Sequence, residues 1–359
     1  MAYLTLGKRL LARRLYLVLS CILTGLLIAV HLEAARPSIS LHVSNIDADV
    51  NRTLVGRAVN NTLVVVPVNT GMLYWADNLL CSLQRTDFDS NQVLFWALDA
   101  RAKTLLEAQG RATYFDASLL SVATNANRNG DTRDYRKMMR ERPKFFVDVL
   151  SAGYDILMID ADTVWFQSPL VLRDESVDAV FSTDAREFYQ DHDAFRDAWR
   201  RGDRIPPVCA GVFWMKASAK TVRLYQDMLA VFNGGLRTLA LRLLFFQDDQ
   251  RGLDVLLNDG RTRLVEPLPR GITADMLKGR YRDHAEMRVR LLDQTEVVNG
   301  HLLKNRPRRY QESLANLRSE GEDRIAVHLN WNPRDVTKED GSKEMGFWLL
   351  DDGGDCKDP

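Results

Sequence analysis

From Asn61 onward the chain alternates short apolar runs with stretches of helical periodicity. Thr62 to Val68 is a β-branched run that reads as a strand and is broken by Asn69-Thr-Gly71. Apolar residues then recur at helical spacing through Leu73, Leu79, Leu80 and Leu83. Val93 to Leu98 predicts a second strand ending at Asp99, and a helix through Leu105 and Leu106 stops at Gly110. Ala112 to Phe115 predicts a short third strand, and Arg136 to Leu150 a helix with Pro143 near its start or at a bend. This alternation predicts an α/β fold built on a mainly parallel, doubly wound sheet in a single domain over residues 61–352. Ligands of such sheets bind beyond the carboxyl ends of the strands. Asn69, Asp99, Asp160 and Asp162 all fall at predicted strand ends, where a nucleotide site would form.

The segment Tyr154-Asp-Ile-Leu-Met-Ile-Asp160-Ala-Asp162-Thr-Val-Trp-Phe-Gln-Ser-Pro169 carries the most chemistry. Side chains alternate along a strand, so residues two apart project from the same face. Two carboxylates held that close repel each other unless a cation lies between them. Oxygen ligands of this kind suit Mg²⁺ or Mn²⁺. An ion so placed can grip a diphosphate and stabilise its charge as it leaves.

The N-terminus has a different pattern. Lys8, Arg9, Arg13 and Arg14 form a basic cluster, and Leu15 to Leu32 then carries no acidic or basic side chain except His31. At ~1.5 Å per residue a helix of this length spans about 27 Å, close to the thinner early-secretory bilayer. The positive flank puts residues 1–14 in the cytosol and everything after the span in the lumen. The expectation is a single-pass type II signal anchor over 15–32 in a Golgi or other early-secretory membrane, followed by a stem over 33–60. Two sequons, Asn51-Arg-Thr53 and Asn60-Asn-Thr62, make Asn51 and Asn60 candidate glycosylation sites just outside the membrane.

Composition narrows the partners. Basic and acidic residues balance at 48 each, which gives no reason to expect a nucleic-acid partner. Of the four cysteines Cys21 lies in the predicted span. Cys81, Cys209 and Cys356 therefore allow at most one intrachain disulfide and leave one thiol over. Residues 353–359 read as a C-terminal tail.

Several other residues are candidates. Arg136, Lys137, Arg140, Arg142 and Lys144 form a basic run before the acidic strand. Such a run is commonly a solvated face. Lys144 is the donor-binding candidate because it enters the apolar stretch Phe145-Phe-Val-Asp-Val-Leu150. Pro206-Pro-Val-Cys-Ala210-Gly211 is a candidate acceptor floor, with Gly211 allowing close backbone approach; a core strand with a tight turn would explain it equally. Asp249-Gln250 precedes an amphipathic helix through Leu253, Leu256 and Leu257, where Asp249 is also a good helix N-cap. The loop 125–134 is polar and contains glycine, and substrate choice is expected to depend on loops such as 125–134 and 188–204.

Read together, four segments resemble the nucleotide-diphospho-sugar transferase domain of glycosyltransferase family 77, over roughly residues 61–350. They are Gly153-Tyr-Asp-Ile-Leu-Met-Ile-Asp-Ala-Asp-Thr-Val-Trp165, Ala210-Gly-Val-Phe-Trp-Met-Lys216, Asp248-Asp-Gln250 with Asp254-Val-Leu-Leu-Asn258, and Val327-His-Leu-Asn330. The resemblance implies a GT-A-like fold, a nucleotide-sugar donor, Mn²⁺ with Mg²⁺ as the alternative, a glycan or glycoprotein acceptor, and retention of anomeric configuration. It also implies that His328 completes an Asp160–Asp162–His328 metal set and that Asp249 and Gln250 face the donor sugar. A C-terminal lysine would touch the diphosphate. Lys338 and Lys343 are both candidates, with Lys343 carried as the donor-binding choice.

Two other readings compete. Asp160-Ala-Asp162-Thr-Val also fits the first motif of haloacid-dehalogenase-type phosphatases, with Ser182 or Thr183 and Asp248-Asp249 as further matches. A long α/β stretch before the acid pair counts against it. A catalytically silent luminal nucleotide- or glycan-binding protein on the same fold is the third possibility.

Overall fold

The computed structural model describes residues 54–119, 133–191, 205–235, 238–239, 248–277, 286–330 and 337–358. The expected membrane span, most of the stem, Asn51, and most of the loops 125–134 and 188–204 lie outside these residues. Among the described residues no helix is long and apolar enough to cross a membrane.

The centre is an eight-stranded sheet. Its strands are β1 (Thr62–Val68), β2 (Val93–Ala97), β3 (Thr113–Tyr114), β4 (Asp155–Ile159), β6 (Ala179–Thr183), β7 (Val208–Met215), β8 (Thr262–Leu264) and β9 (Met287–Leu291), in the order β3-β2-β1-β4-β7-β6-β9-β8. Neighbours run parallel except where β7 lies antiparallel to both β4 and β6. A smaller sheet orders β10 (Val297–Asn299), β11 (Ala326–His328) and β5 (Thr163–Trp165).

The continuous apolar runs are explained by burial on both faces. Along β1, Leu63 and Val65 enter one core while Val64, Val66 and Val68 enter the other. In β4, Ile156 and Met158 join the first, and Leu157 and Ile159 the second. Helices α3 (Arg133–Ser151) and α4 (Ala219–Asn233) cover the first face with Phe145, Phe146, Leu224, Tyr225 and Met228. The second face is covered by α1 (Leu73–Leu83), α7 (Pro307–Ser319) and the small sheet, through Trp75, Leu79, Tyr310 and Val327. Pro67 is tolerated in a central strand because β4 pairs with β1 only over Thr62–Val65.

Some expectations shift. The helix read over 136–150 begins at Arg133, which puts Pro143 well inside it. Cys81 and Cys356 form the disulfide, and Cys209 is the buried free thiol. The C-terminal tail is held to the domain: besides the disulfide, Arg85 donates to the Lys357 carbonyl (2.6 Å) and the Lys357 N–H to the Leu349 carbonyl (2.8 Å).

Candidate active site

Asp160 and Asp162 stand in the turn between β4 and β5, at the carboxyl edge of the parallel strands. A chain of local hydrogen bonds sets this turn. The Thr163 hydroxyl donates to the Asp160 carbonyl (2.8 Å), the Trp165 indole N–H donates to that hydroxyl (2.9 Å), and the Trp165 backbone N–H donates to Ser82 Oγ (3.1 Å). The Asp160 N–H donates to the Gly211 carbonyl of β7 at 2.7 Å. Pairing of β5 with β11 sets His328 opposite Thr163, and the Leu329 N–H donates to the Asp162 carbonyl (2.9 Å). One strand register thus brings His328 to an acid pair far from it in sequence.

Ligand atoms of Asp160, Asp162 and His328 lie within 4.8 Å of one another. His328 Nε2 is 3.5 Å from Asp160 Oδ2 and 3.4 Å from Asp162 Oδ1. It is buried and has no hydrogen-bond partner. An orphaned imidazole nitrogen facing two carboxylates is what a divalent cation would satisfy, and a mixed oxygen–nitrogen set suits Mn²⁺. Gly211 lets these groups converge: a Cβ there would lie 2.2 Å from Asp160 Oδ2 and 2.6 Å from His328 Cε1.

Neighbouring charges balance the acids. Burial disfavours a charged imidazole at His328, yet Cys209 and the two carboxylates hold its pKa well above the ordinary value. Burial also disfavours the Asp162 carboxylate, but Lys338 and His328 hold it far below the usual range. Lys338 opens helix α8 (Lys338–Glu344), makes an ion pair with Asp162, and lies 5.3 Å from the Trp75 ring centre. Asp160, Asp162 and His328 would hold a cation through two carboxylates and a bare Nε2, since only an unprotonated ring nitrogen can ligate.

Helix α5 (Asp249–Leu256) supplies a second set of groups. Its N-cap is Asp248, whose carboxylate accepts from the Arg251 N–H at 2.8 Å. Capping therefore falls one residue before Asp249, which is free to turn inward. There it lies 3.5 Å from the Arg142 guanidinium, both side chains only 4 % exposed. Burial pushes the Asp249 carboxyl up to about 7 against the pull of Arg142, assisted by the charges of Asp248 and Asp160. Arg142 also donates to the Ala210 carbonyl (3.4 Å). Gln250 donates to Asp184 Oδ2 (2.8 Å), and Asn330 donates to Asp184 Oδ1 (3.1 Å). Burial raises the Asp184 carboxyl, and the donors from Gln250 and Asn330 oppose that rise.

The candidates divide accordingly. Asp160, Asp162 and His328 come together, with Gly211 packed directly against them and Ala210 touching Arg142 and Gln250. Lys338 faces Asp162, whereas Lys343 is half exposed, paired with Glu339 four residues back and held over Trp348. From the basic run it is Arg142 that meets Asp249. Lys144, two residues on, donates instead to the Leu119 carbonyl at 3.0 Å and lies beside Glu141. Asp99 caps helix α2 (Ala100–Ala108) and accepts from both the N–H and the hydroxyl of Thr70, tying the ends of β1 and β2 together. Asn69 is buried at the end of β1. Asn60 is exposed with a left-handed backbone (φ 48°), but the Thr62 of its sequon is fully buried in β1.

Sequence reasoning missed Asp184, Cys209 as a neighbour of His328, and the Arg142–Asp249 pair. The first had one available signal, an acid immediately after the strand-like run ending at Thr183. In the phosphatase alternative Ser182 is one of two candidates for the second motif, but its hydroxyl donates to the Val212 carbonyl within the sheet (2.9 Å).

An Asp–Asp–His group that could hold a divalent cation and a buried acid–amide cluster thus stand beside the mainly parallel sheet of an α/β protein. The chain matches the nucleotide-diphospho-sugar transferase family over residues 90–341, and it belongs to that family. It is 22% identical over 318 residues to a UDP-galactose:fucoside alpha-3-galactosyltransferase of Dictyostelium discoideum, covering 81% of this chain and 44% of the relative. It is 26% identical over 136 residues to an arabinosyltransferase of Arabidopsis thaliana, covering 37% of this chain and 20% of that protein. The chain spans less than half the length of these curated relatives. A solved structure of the galactosyltransferase LgtC with donor and acceptor sugar analogs aligns with a TM-score of 0.43 at 12% identity, covering 82% of this chain and 97% of that one. Mouse xyloside xylosyltransferase 1 aligns with a TM-score of 0.41 at 11% identity, over 74% and 97%.

Proposed function

We propose that this protein is a glycosyltransferase of the family 77 type, moving a sugar from a UDP-sugar donor to a glycan or glycoprotein hydroxyl, dependent on Mn²⁺ and with retention of configuration. The observation that carries the reading is the convergence of Asp160, Asp162 and His328 around an orphaned ring nitrogen. Bound there, the ion supplies charge against the donor diphosphate. Lys338, already at Asp162, adds a second positive charge beside the leaving group. The Asp249 carboxylate stabilises positive charge growing at the anomeric carbon, while Arg142 orients it. Gln250 and Asp184 supply hydrogen bonds for sugar hydroxyls. The acceptor hydroxyl attacks from the face that the diphosphate leaves, and the departing phosphate takes its proton.

The expected topology, a type II anchor with the catalytic domain in the Golgi lumen, is proposed on the sequence pattern of the N-terminus. A disulfide between Cys81 and Cys356 suits an oxidising compartment, which supports it. The two named relatives handle galactose and arabinose, so UDP-galactose and UDP-pentoses head the donor panel.

Incubating the full chain with a panel of UDP-sugars, Mn²⁺ and simple acceptors tests the reading. The expected result is Mn²⁺-dependent release of UDP and a product whose anomeric configuration, read by NMR, matches the donor. Nucleotide binding without turnover of any donor would leave a silent binding protein; neither binding nor turnover would remove the reading altogether.

A further inference from the structure

The imidazole of His328 has two neighbours of opposite character. On one side Nε2 faces Asp160 and Asp162 with no hydrogen-bond partner. On the other, Nδ1 lies 3.4 Å from the sulfur of Cys209. Cys209 is buried in β7, stands outside the disulfide, and its sulfur also accepts the Gly211 N–H at 3.4 Å. A neutral imidazole carries a single ring proton, so a ring that ligates through Nε2 must keep that proton on Nδ1. The proton then requires an acceptor, and the buried sulfur is positioned to be it.

We propose that Cys209 is a positioning residue of the metal centre: its sulfur accepts Nδ1–H of His328 and so fixes the tautomer and ring angle that turn Nε2 toward the ion. This rests on the metal-dependent transferase reading above. Metal-bound histidines are almost always backed in this way, and losing the backing group typically weakens the site. The same strand holds the ring at a second point, since Gly211 passes so near that a Cβ would lie 2.6 Å from Cε1. Cys209 and Gly211 together leave the imidazole one orientation.

The test measures Mn²⁺ binding to the full chain by electron paramagnetic resonance for wild type, Cys209→Ala and Cys209→Ser, with melting temperatures alongside. Cys209→Ala is expected to weaken Mn²⁺ by about tenfold or more while melting close to wild type. Cys209→Ser keeps an acceptor and should recover most of the loss. With Mg²⁺ as the diamagnetic ion, ¹⁵N NMR of labelled histidine should report the Nδ1–H tautomer at His328 in wild type and a mixture in Cys209→Ala. Unchanged Mn²⁺ affinity in Cys209→Ala, or an Nε2–H tautomer in loaded wild type, would overturn the role of Cys209 alone. Absence of Mn²⁺ binding by wild type would instead overturn the transferase reading beneath it.

Discussion

Gly211→Ala presses one methyl group directly on the candidate metal site. Its backbone lies outside the left-handed region, so alanine meets no conformational penalty and the perturbation is one methyl group. That methyl would lie 2.2 Å from Asp160 Oδ2 and 2.6 Å from His328 Cε1. His328 is fully enclosed in β11 and cannot retreat, but the Asp160 side chain is 29% exposed and can rotate outward. Restoring ordinary van der Waals contact, about 3.5 Å, requires Asp160 to move by more than 1 Å. A ligand tolerates only about 0.2 Å of displacement around an ion, so one of three protein ligands is lost. The expected loss is at least tenfold in Mn²⁺ affinity, about 1.4 kcal/mol. Asp160 yields through an exposed side chain, but the 2.6 Å approach to the enclosed His328 ring does not, so the stability cost falls toward the upper end of the ~1–3 kcal/mol typical of overpacking. A melting temperature lower by about 5–10 °C follows for a domain of this size. Activity titrated against Mn²⁺, with thermal melts in parallel, reads both quantities. A normal Mn²⁺ curve in Gly211→Ala would refute the placement of the ion, as would a large melting loss with unchanged metal dependence.

Three further outcomes are expected. Lys338→Ala should lower kcat/KM for the donor by about 10- to 100-fold, roughly 1.4–2.7 kcal/mol, while Lys343→Ala leaves it unchanged; equal effects in steady-state assays would undo the assignment of Lys338. Burial raises the Asp249 carboxyl to about 7, so its contribution to stability is fully present below the unfolded value near pH 4 and is lost as pH rises through about 7. Urea melts from pH 4 to 8 should show that decline in wild type and lose it in Asp249→Asn, and the variant should also lack the rise of activity with pH that accompanies ionisation of the carboxyl. Reducing the Cys81–Cys356 bridge should destabilise the protein by about 2–5 kcal/mol, seen as a lower melting temperature with dithiothreitol; an unchanged melt would mean that the bridge does not form.

What was legible in the sequence was whatever depends on near neighbours. The β-branched run Thr62–Val68, the apolar run ending at Asp160, and the two acids separated by one residue are local patterns, and strand geometry alone places them at a sheet edge. The alternation of strands and helices carried the α/β class for the same reason. His328 was legible only through its resemblance to a family pattern, since nothing near it in sequence says what it faces. Long-range pairing decided the rest. The β5–β11 register brings Thr163 opposite His328, and that pairing adds to the acid pair a third residue that no spacing rule connects to it. Lys338 and Lys343 look alike as sequence; α8 turns the first toward Asp162 and leaves the second with Glu339. Arg142 and Lys144 are two apart on α3, about 200° around the helix at 3.6 residues per turn, so only one can reach Asp249. Local side-chain chemistry determined which residues can bind a cation or a sugar. The tertiary structure decided which of them share a site, because that depends on strands and helices meeting across the chain.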